Sequence, residues 1–239
     1  MEPSIRLFEP KIDYRTKREV QRVLDSGWWD QGKKVKEFED KLRQYLGCKY
    51  VIAVNSGTAA LHLALSLFPQ KEVILPSLSF VSTANAVLMN NKKPLFMDVT
   101  EDTLSLNGYM ADKLHIPVHF GGYPINHEFD SFPIVEDCAH AMGSKLTTKN
   151  IKCFSFHPSK NLAMPNGGAI ALYDDQYVEE LKEKRWCGIS DKDGERDVKR
   201  LGWNYKLNDI NATIGIEQLR KLDENNNRRY RIACEYAER

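Results

Sequence analysis

The chain has 239 residues, of which 42% are hydrophobic, 28% charged and 10% aromatic. Lys and Arg total 34 against 33 Asp and Glu, a net charge of +1, which removes the electrostatic case for general nucleic-acid binding. The length is enough for a substantial core without staples, and the spread of apolar residues excludes low-complexity disorder. No apolar run reaches the roughly 18–20 residues of a membrane span, and the first residues, Met1 to Arg6, lack the regions of a signal peptide. The five cysteines, Cys48, Cys138, Cys153, Cys187 and Cys234, form no CxxC pair and no zinc-like spacing with the histidines. They read as reduced thiols in a cytoplasmic protein, and no metal site is read.

In chain order, helical spacing of Val35, Phe38, Leu42, Tyr45 and Leu46 predicts an amphipathic helix over 33–46. The run 50–54 reads as a strand, stopped by Asn55-Ser56-Gly57-Thr58, and an Ala/Leu-rich helix follows over about 58–68. A strand at 72–75 ends at Pro76, a helix runs through Met89, and a strand follows at 94–98. Short apolar runs at 115–119, 133–137, 152–156 and 168–172 are continuous rather than alternating. That pattern suits strands buried on both faces of a mainly parallel sheet. A helix is expected over about 174–186, and the charged stretch 191–197 reads as a solvated loop. Asn208 is an N-cap for a helix that continues, with a break, into a charged helix through Arg239. The connection between 119 and 133 leaves little room for a crossover helix.

Three stretches carry chemistry. The 55–58 turn lies between a strand and a helix, so it is either a plain N-cap or an anion site built from backbone amides. Glu136-Asp137 ends a strand at the edge where α/β sheets collect ligands. Asp137 is there either an exposed loop acid or a buried carboxylate needing a cation. In 153–161, Ser155, His157 and Lys160 follow a strand end, and Asn166-Gly167-Gly168 turns the chain into the next strand. Lys160 is a surface charge or a Schiff-base nucleophile. His157 is framework or a base.

Together these stretches resemble the sugar aminotransferases of the DegT/DnrJ/EryC1/StrS group, which use pyridoxal phosphate (PLP) on the type I aminotransferase fold. The resemblance runs through Gly27-Trp28 and Gln31-Gly32, SGTAALHLAL at 56–65 and LPSLSFVSTANAV at 75–87. It continues through EDCAHAMGS at 136–144, CFSFHPSKN at 153–161, NGGAIAL at 166–172 and LGWNYKLNDINATIGIEQL at 201–219. It implies an α/β large domain, a mainly parallel mixed sheet flanked by helices, with trimmed crossovers.

The resemblance also implies roles. Lys160 would hold the cofactor as a Schiff base and carry the catalytic proton. Asp137 would pair with the pyridinium nitrogen, so that the ring acts as an electron sink. Phe80 would stack on the ring, and His140 would stand near its hydroxyl. Gly57, Thr58 and Ser155 would hold the phosphate. Asn204 would reach the phosphate in a neighbouring subunit, which implies a homodimer with shared active sites. The implied reaction moves an amino group from an amino acid, commonly glutamate, to a keto group of a nucleotide-linked sugar, as in polysaccharide biosynthesis. Relatives with histidine in place of the lysine are dehydratases; Lys160 favours transamination.

The resemblance further implies a division at about 220. Residues 1–220 would form the PLP-binding large domain with an N-terminal helical segment. Residues 221–239 would begin the linker helix toward a C-terminal domain of about a hundred residues or more. On this reading the sequence would lack most of that domain, and Lys206 replaces the usual Arg. Three readings follow: a compact aminotransferase, half of a split enzyme whose second chain supplies the C-terminal domain, or a non-catalytic binding or dimerisation subunit. Trp28 and Trp29 read as core and interface packing, or as an approach to substrate. His119 and Tyr123 receive no role.

Overall fold

A computed structural model of the chain describes residues 6, 8–125, 132–192 and 194–238. The readings made for 1–5, Asp193 and Arg239 lie outside these residues. The elements are α1 (Tyr14–Ser26), α2 (Lys33–Leu46), β1 (Tyr50–Val54), α3 (Gly57–Leu65), β2 (Glu72–Pro76), α4 (Val81–Met89) and β3 (Lys93–Met97). There follow β4 (Leu114–His115), β5 (Val135–Asp137), β6 (Ile151–Ser155), β7 (Gly168–Leu172) and α5 (Val178–Arg185). The chain continues with β8 (Ile189–Lys192), β9 (Glu195–Val198), α6 (Asp209–Arg220) and α7 (Leu222–Ala237).

The strands β3-β2-β4 and β5-β6-β7-β1 form two ladders. Parallel bridges His115–Ile134 and Val118–Asp137 join them into one sheet. Neighbours run parallel except at β7, which is antiparallel to both β6 and β1. This is the mainly parallel sheet that the continuous apolar runs predict, with the mixed character that the resemblance implies. Side chains alternate between its faces. Ile52, Val54, Ile170 and Leu172 pack with α3 and α5. Val51, Ala53, Ala169 and Ala171 pack with Phe38 and Leu42 of α2 and Ala212 and Ile216 of α6.

Several elements depart from expectation. Periodicity does not mark helix α1, because only Thr16 and Val23 of it are buried and its apolar face is too thin to show as a period. Its signals are at its ends: Asp13 accepts from the Thr16 amide, and Gly27 closes it in the left-handed region. Strand β4 stops after two residues. Pro117 has no N–H for a ladder, although its carbonyl accepts from the Asp137 amide at 2.9 Å. Residues 191, 192 and 195–197 belong to a hairpin, β8 paired antiparallel with β9, rather than to a loop. Five of the eight residues in its strands are charged, so no apolar alternation marks them. Between β4 and β5, and between β5 and β6, the described residues contain no α-helix, consistent with the tight spacing. The helix expected to run to 68 ends at Leu65.

One long-range contact fixes the sheet's helical cover. Gly32, the N-cap of α2, offers no side chain to the helix's free amides. Asp209, at the start of α6, takes their place: it accepts from the amides of Gly32 (2.8 Å), Val35 (3.0 Å) and Lys34 (3.1 Å). A negative charge there also suits the helix dipole. No helix among the described residues is long and apolar enough to cross a membrane.

Candidate active site

The carboxyl ends of β1, β2, β5 and β6 lie along one edge of the sheet. Because β7 runs the other way, its start reaches the same edge. A cavity of about 260 Å³ opens there, where open α/β sheets place ligands. Gly57, Thr58, Phe80, Asp137, His140, Ser155 and Lys160 all line it. Asn204 does not: it is exposed, and its carbonyl accepts from the Asn55 side chain at 3.2 Å.

The first wall is the start of α3. Ser56 caps it, accepting from the Ala59 amide at 3.0 Å, and the Ser56 carbonyl takes the Ala60 amide. The Gly57 and Thr58 amides are among those that a helix cannot satisfy itself. Close packing dictates the glycines here. A Cβ on Gly57 would stand 2.7 Å from Cβ of Ser155, and one on Gly168 would stand 2.4 Å from the Ser56 carbonyl. The turn is therefore a tightly packed cap, with Ser155 beside it.

Asp137 forms the floor. It is 4% exposed, so it is not a loop acid. Its Oδ2 accepts from the Thr83 hydroxyl at 2.8 Å and its Oδ1 from the Ala139 amide at 3.1 Å. Lys160 is half-buried. Burial holds its amine below the usual lysine range, while the charge of Asp137 acts in the opposite sense. His140 is also held below its ordinary value, by burial first and then by Lys160. Its Nδ1 accepts from the Gly121 amide at 3.4 Å, which leaves the proton on Nε2. Phe80, the N-cap of α4, is 71% exposed and presents its ring at the rim.

His157 is exposed and lines the cavity. Its Nδ1 lies 2.9 Å from the Ser159 hydroxyl and accepts from the Ser159 amide at 3.3 Å, bonds that stiffen the turn before Lys160. Tyr123 is exposed. Trp28 and Trp29 are 62% and 56% exposed and do not pack in the core. Their indole N–H groups donate to the Gln31 and Leu24 carbonyls. Lys206 pairs with Asp30 and lies over the Trp186 ring at 5.5 Å. It ties the Trp28–Trp29 turn to the core.

Behind Asp137 the fold assembles a cluster invisible in the sequence. His119, Glu136 and Cys138, all buried, bring their ligand-type atoms within 4.8 Å of one another. The histidine–cysteine spacing along the chain shows nothing of this. The cluster is already a hydrogen-bonded network. His119 Nδ1 accepts from the Ile125 amide at 3.0 Å, so Nε2 donates to Glu136 at 3.0 Å. Thr148 and Asn150 donate to the other Glu136 oxygen. Burial pushes the Glu136 carboxyl up, but the His119 bond and the Lys152 charge outweigh it and hold the group below its ordinary range. Lys152, 3.9 Å away, supplies the compensating charge that a buried acid requires.

Sequence reasoning missed Thr83 and Asp209. A signal existed for Thr83, which lies three residues after Phe80 and hence on the same side of a helix. None existed for Asp209, whose partners lie more than 170 residues away in the chain.

The residues present fit PLP. The Gly57–Thr58 turn suits a phosphate, the buried Asp137 carboxylate suits a ring cation, and the half-buried Lys160 suits an aldehyde. Comparison with known proteins points the same way. The model of the DegT/DnrJ/EryC1/StrS aminotransferase family matches residues 10–239. The uncharacterised protein MJ1066 of Methanocaldococcus jannaschii is 33% identical, over 97% of this chain and 68% of its own length. The sugar aminotransferase CalS13 from Micromonospora echinospora is 30% identical with a TM-score of 0.83, over 92% of this chain and 69% of that one. A DegT DnrJ EryC1 StrS aminotransferase from Brucella abortus is 29% identical with a TM-score of 0.84, over 94% and 68%. Aminotransferases of this family depend on PLP. By its matched sequence, its mixed sheet and its cavity, the chain belongs to the DegT/DnrJ/EryC1/StrS aminotransferase family.

Proposed function

We propose that this chain transfers an amino group from an amino acid, glutamate first among the candidates, to a keto group of a nucleotide-linked sugar. The observation that carries the proposal is the meeting of Lys160, Asp137 and the Gly57–Thr58 cradle in one cavity. Bound PLP supplies an electron sink for the charge that develops at the amino carbon.

The chain's own groups do the rest. The Gly57 and Thr58 amides and the Ser155 hydroxyl bind the phosphate. Asp137 holds a proton at the ring nitrogen, its carboxylate oriented by two donors. Phe80 bounds one ring face, and His140 Nε2 donates toward the ring hydroxyl. Lys160 Nζ would carry the proton between the amino carbon and the cofactor. Burial lowers the amine toward the neutral form that such work requires.

The proposed assembly is a homodimer in the cytoplasm, in which Asn204 serves the neighbouring subunit's phosphate. The exposure of Asn204 and of Phe96, Val81 and Leu88 supports it. In the domain division that goes with it, 1–220 is the cofactor-binding unit and 221–239 begins a linker. A second reading, that turnover needs a second chain, draws on coverage of about two thirds of the relatives' length.

The test is the visible spectrum of purified protein with PLP, beside Lys160→Ala, with borohydride trapping and peptide mapping. A visible band lost in the variant, with the label on a peptide containing Lys160, is expected. A folded wild type without a band sinks the proposal. Turnover only on mixing with a candidate second chain would select the second reading.

A further inference from the structure

Two buried threonines in helices use their hydroxyls differently. Thr213 of α6 donates to the Asp209 carbonyl four residues back, at 2.8 Å, the usual habit of a helical threonine. Thr83 of α4 is fully buried, yet its hydroxyl leaves the helix and donates to Asp137 Oδ2, also at 2.8 Å. The partners are 54 residues apart. The Ala139 amide holds Oδ1 from the other side, so donors from two elements fix the plane of one carboxylate. Phe80 caps the same helix, so α4 ties an aromatic face and an acid to a single rigid body.

We propose that Thr83 is a positioning residue of the cofactor site. Its hydroxyl holds the Asp137 carboxylate in register with the Phe80 ring, so that PLP meets both as one unit. This rests on the PLP reading above. Thr83 does not line the cavity and acts only through Asp137. A hydrogen bond to a charged acceptor is among the strong ones, and its loss leaves a buried oxygen short of a donor.

The experiment compares wild type with Thr83→Val, which keeps the shape and removes the donor, and Thr83→Ser, which keeps the donor. Thr83→Ala is a second donorless variant should the valine fail to fold. PLP is titrated by visible absorbance and by tryptophan quenching, and the bound absorbance is followed against pH. The donorless variants are expected to bind PLP about tenfold more weakly and to shift the pH midpoint of the visible band. Thr83→Ser is expected within about threefold of wild type, with its midpoint unmoved. Equal affinity and midpoint in wild type and a folded donorless variant overturn the inference while leaving the PLP reading intact. A loss in Thr83→Ser as large as in Thr83→Val also overturns it, because packing of the methyl would then be the cause. A wild type that binds no PLP overturns both.

Discussion

The two halves of the sheet are made from similar apolar strands but are covered differently. Around β1, β7 and β6, helices close both faces, and every residue of β7 is buried. At the other end β3 is an edge strand in which no residue is buried. Phe96 there is 60% exposed, and Val81 and Leu88 of α4 are 61% and 55% exposed. The cavity lies at the seam. Lys160, Ser155 and the Gly57 turn come from the covered half, Phe80 from the open half, and Asp137 from between. A site so placed takes its rigid parts from a finished core and its rim from a surface still able to receive a partner.

The largest expected effect breaks the covered half. Phe38 is 0% exposed and packs edge-on against Phe156, with ring centroids 5.5 Å apart. Phe38→Ala should cost about 3–5 kcal/mol in urea unfolding. Phe96→Ala in the open half should cost under about 1 kcal/mol and act instead on self-association, read by sedimentation. Equal losses at the two positions would abolish the distinction.

An intermediate effect is expected at Asp209, which holds α2 onto the covered half. Asp209→Ala frees three amides and should cost about 2 kcal/mol. Asp209→Asn should recover part of that loss. Hydrogen exchange should show the extra opening at the start of α2, and unchanged protection there would contradict the capping role.

A pH-dependent effect sharpens the open half. His115 is fully buried, its Nε2 accepts from the Met110 amide at 3.0 Å, and burial pushes its pKa from 6.5 down to about 4. The unfolded chain takes up this proton at the higher value. Stability should therefore fall as the pH drops from 6.5 toward 4, and be restored as it rises. His62 and His140 are lowered by burial as well and act with the same sign. Thermal midpoints across this range should show the slope, and His115→Gln should flatten it. An identical slope in the variant would assign the effect elsewhere.

Much of this molecule was legible from its residues, for identifiable reasons. Strand β1 is a continuous apolar run that ends at a small-residue turn, and periodicity marks α2 just as clearly. The same two patterns placed Gly57, Asp137 and Lys160 at strand ends, and hence at one edge. What stayed hidden depends on partners distant in the chain or on elements without apolar contrast. Helix α1 buries too little to show a period. The β8–β9 hairpin is held by backbone pairing among residues that are more charged than apolar. Asp209, Thr83 and the His119–Glu136 pair are ordinary polar residues until the fold brings their partners within 3.1 Å.

The reversed direction of β7 has a consequence for how the site assembles. Ser155 faces Gly168 across the ladder, so the segment carrying Lys160 is a loop closed by adjacent strands of one hairpin. Closing it costs little chain entropy, since that cost grows only with the logarithm of loop length. Contacts of short sequence separation also favour rapid folding. The acid depends on a partner 54 residues away and must await the sheet. The lysine's half of the site is thus a local product of the chain, and the carboxylate's half is a product of the whole fold.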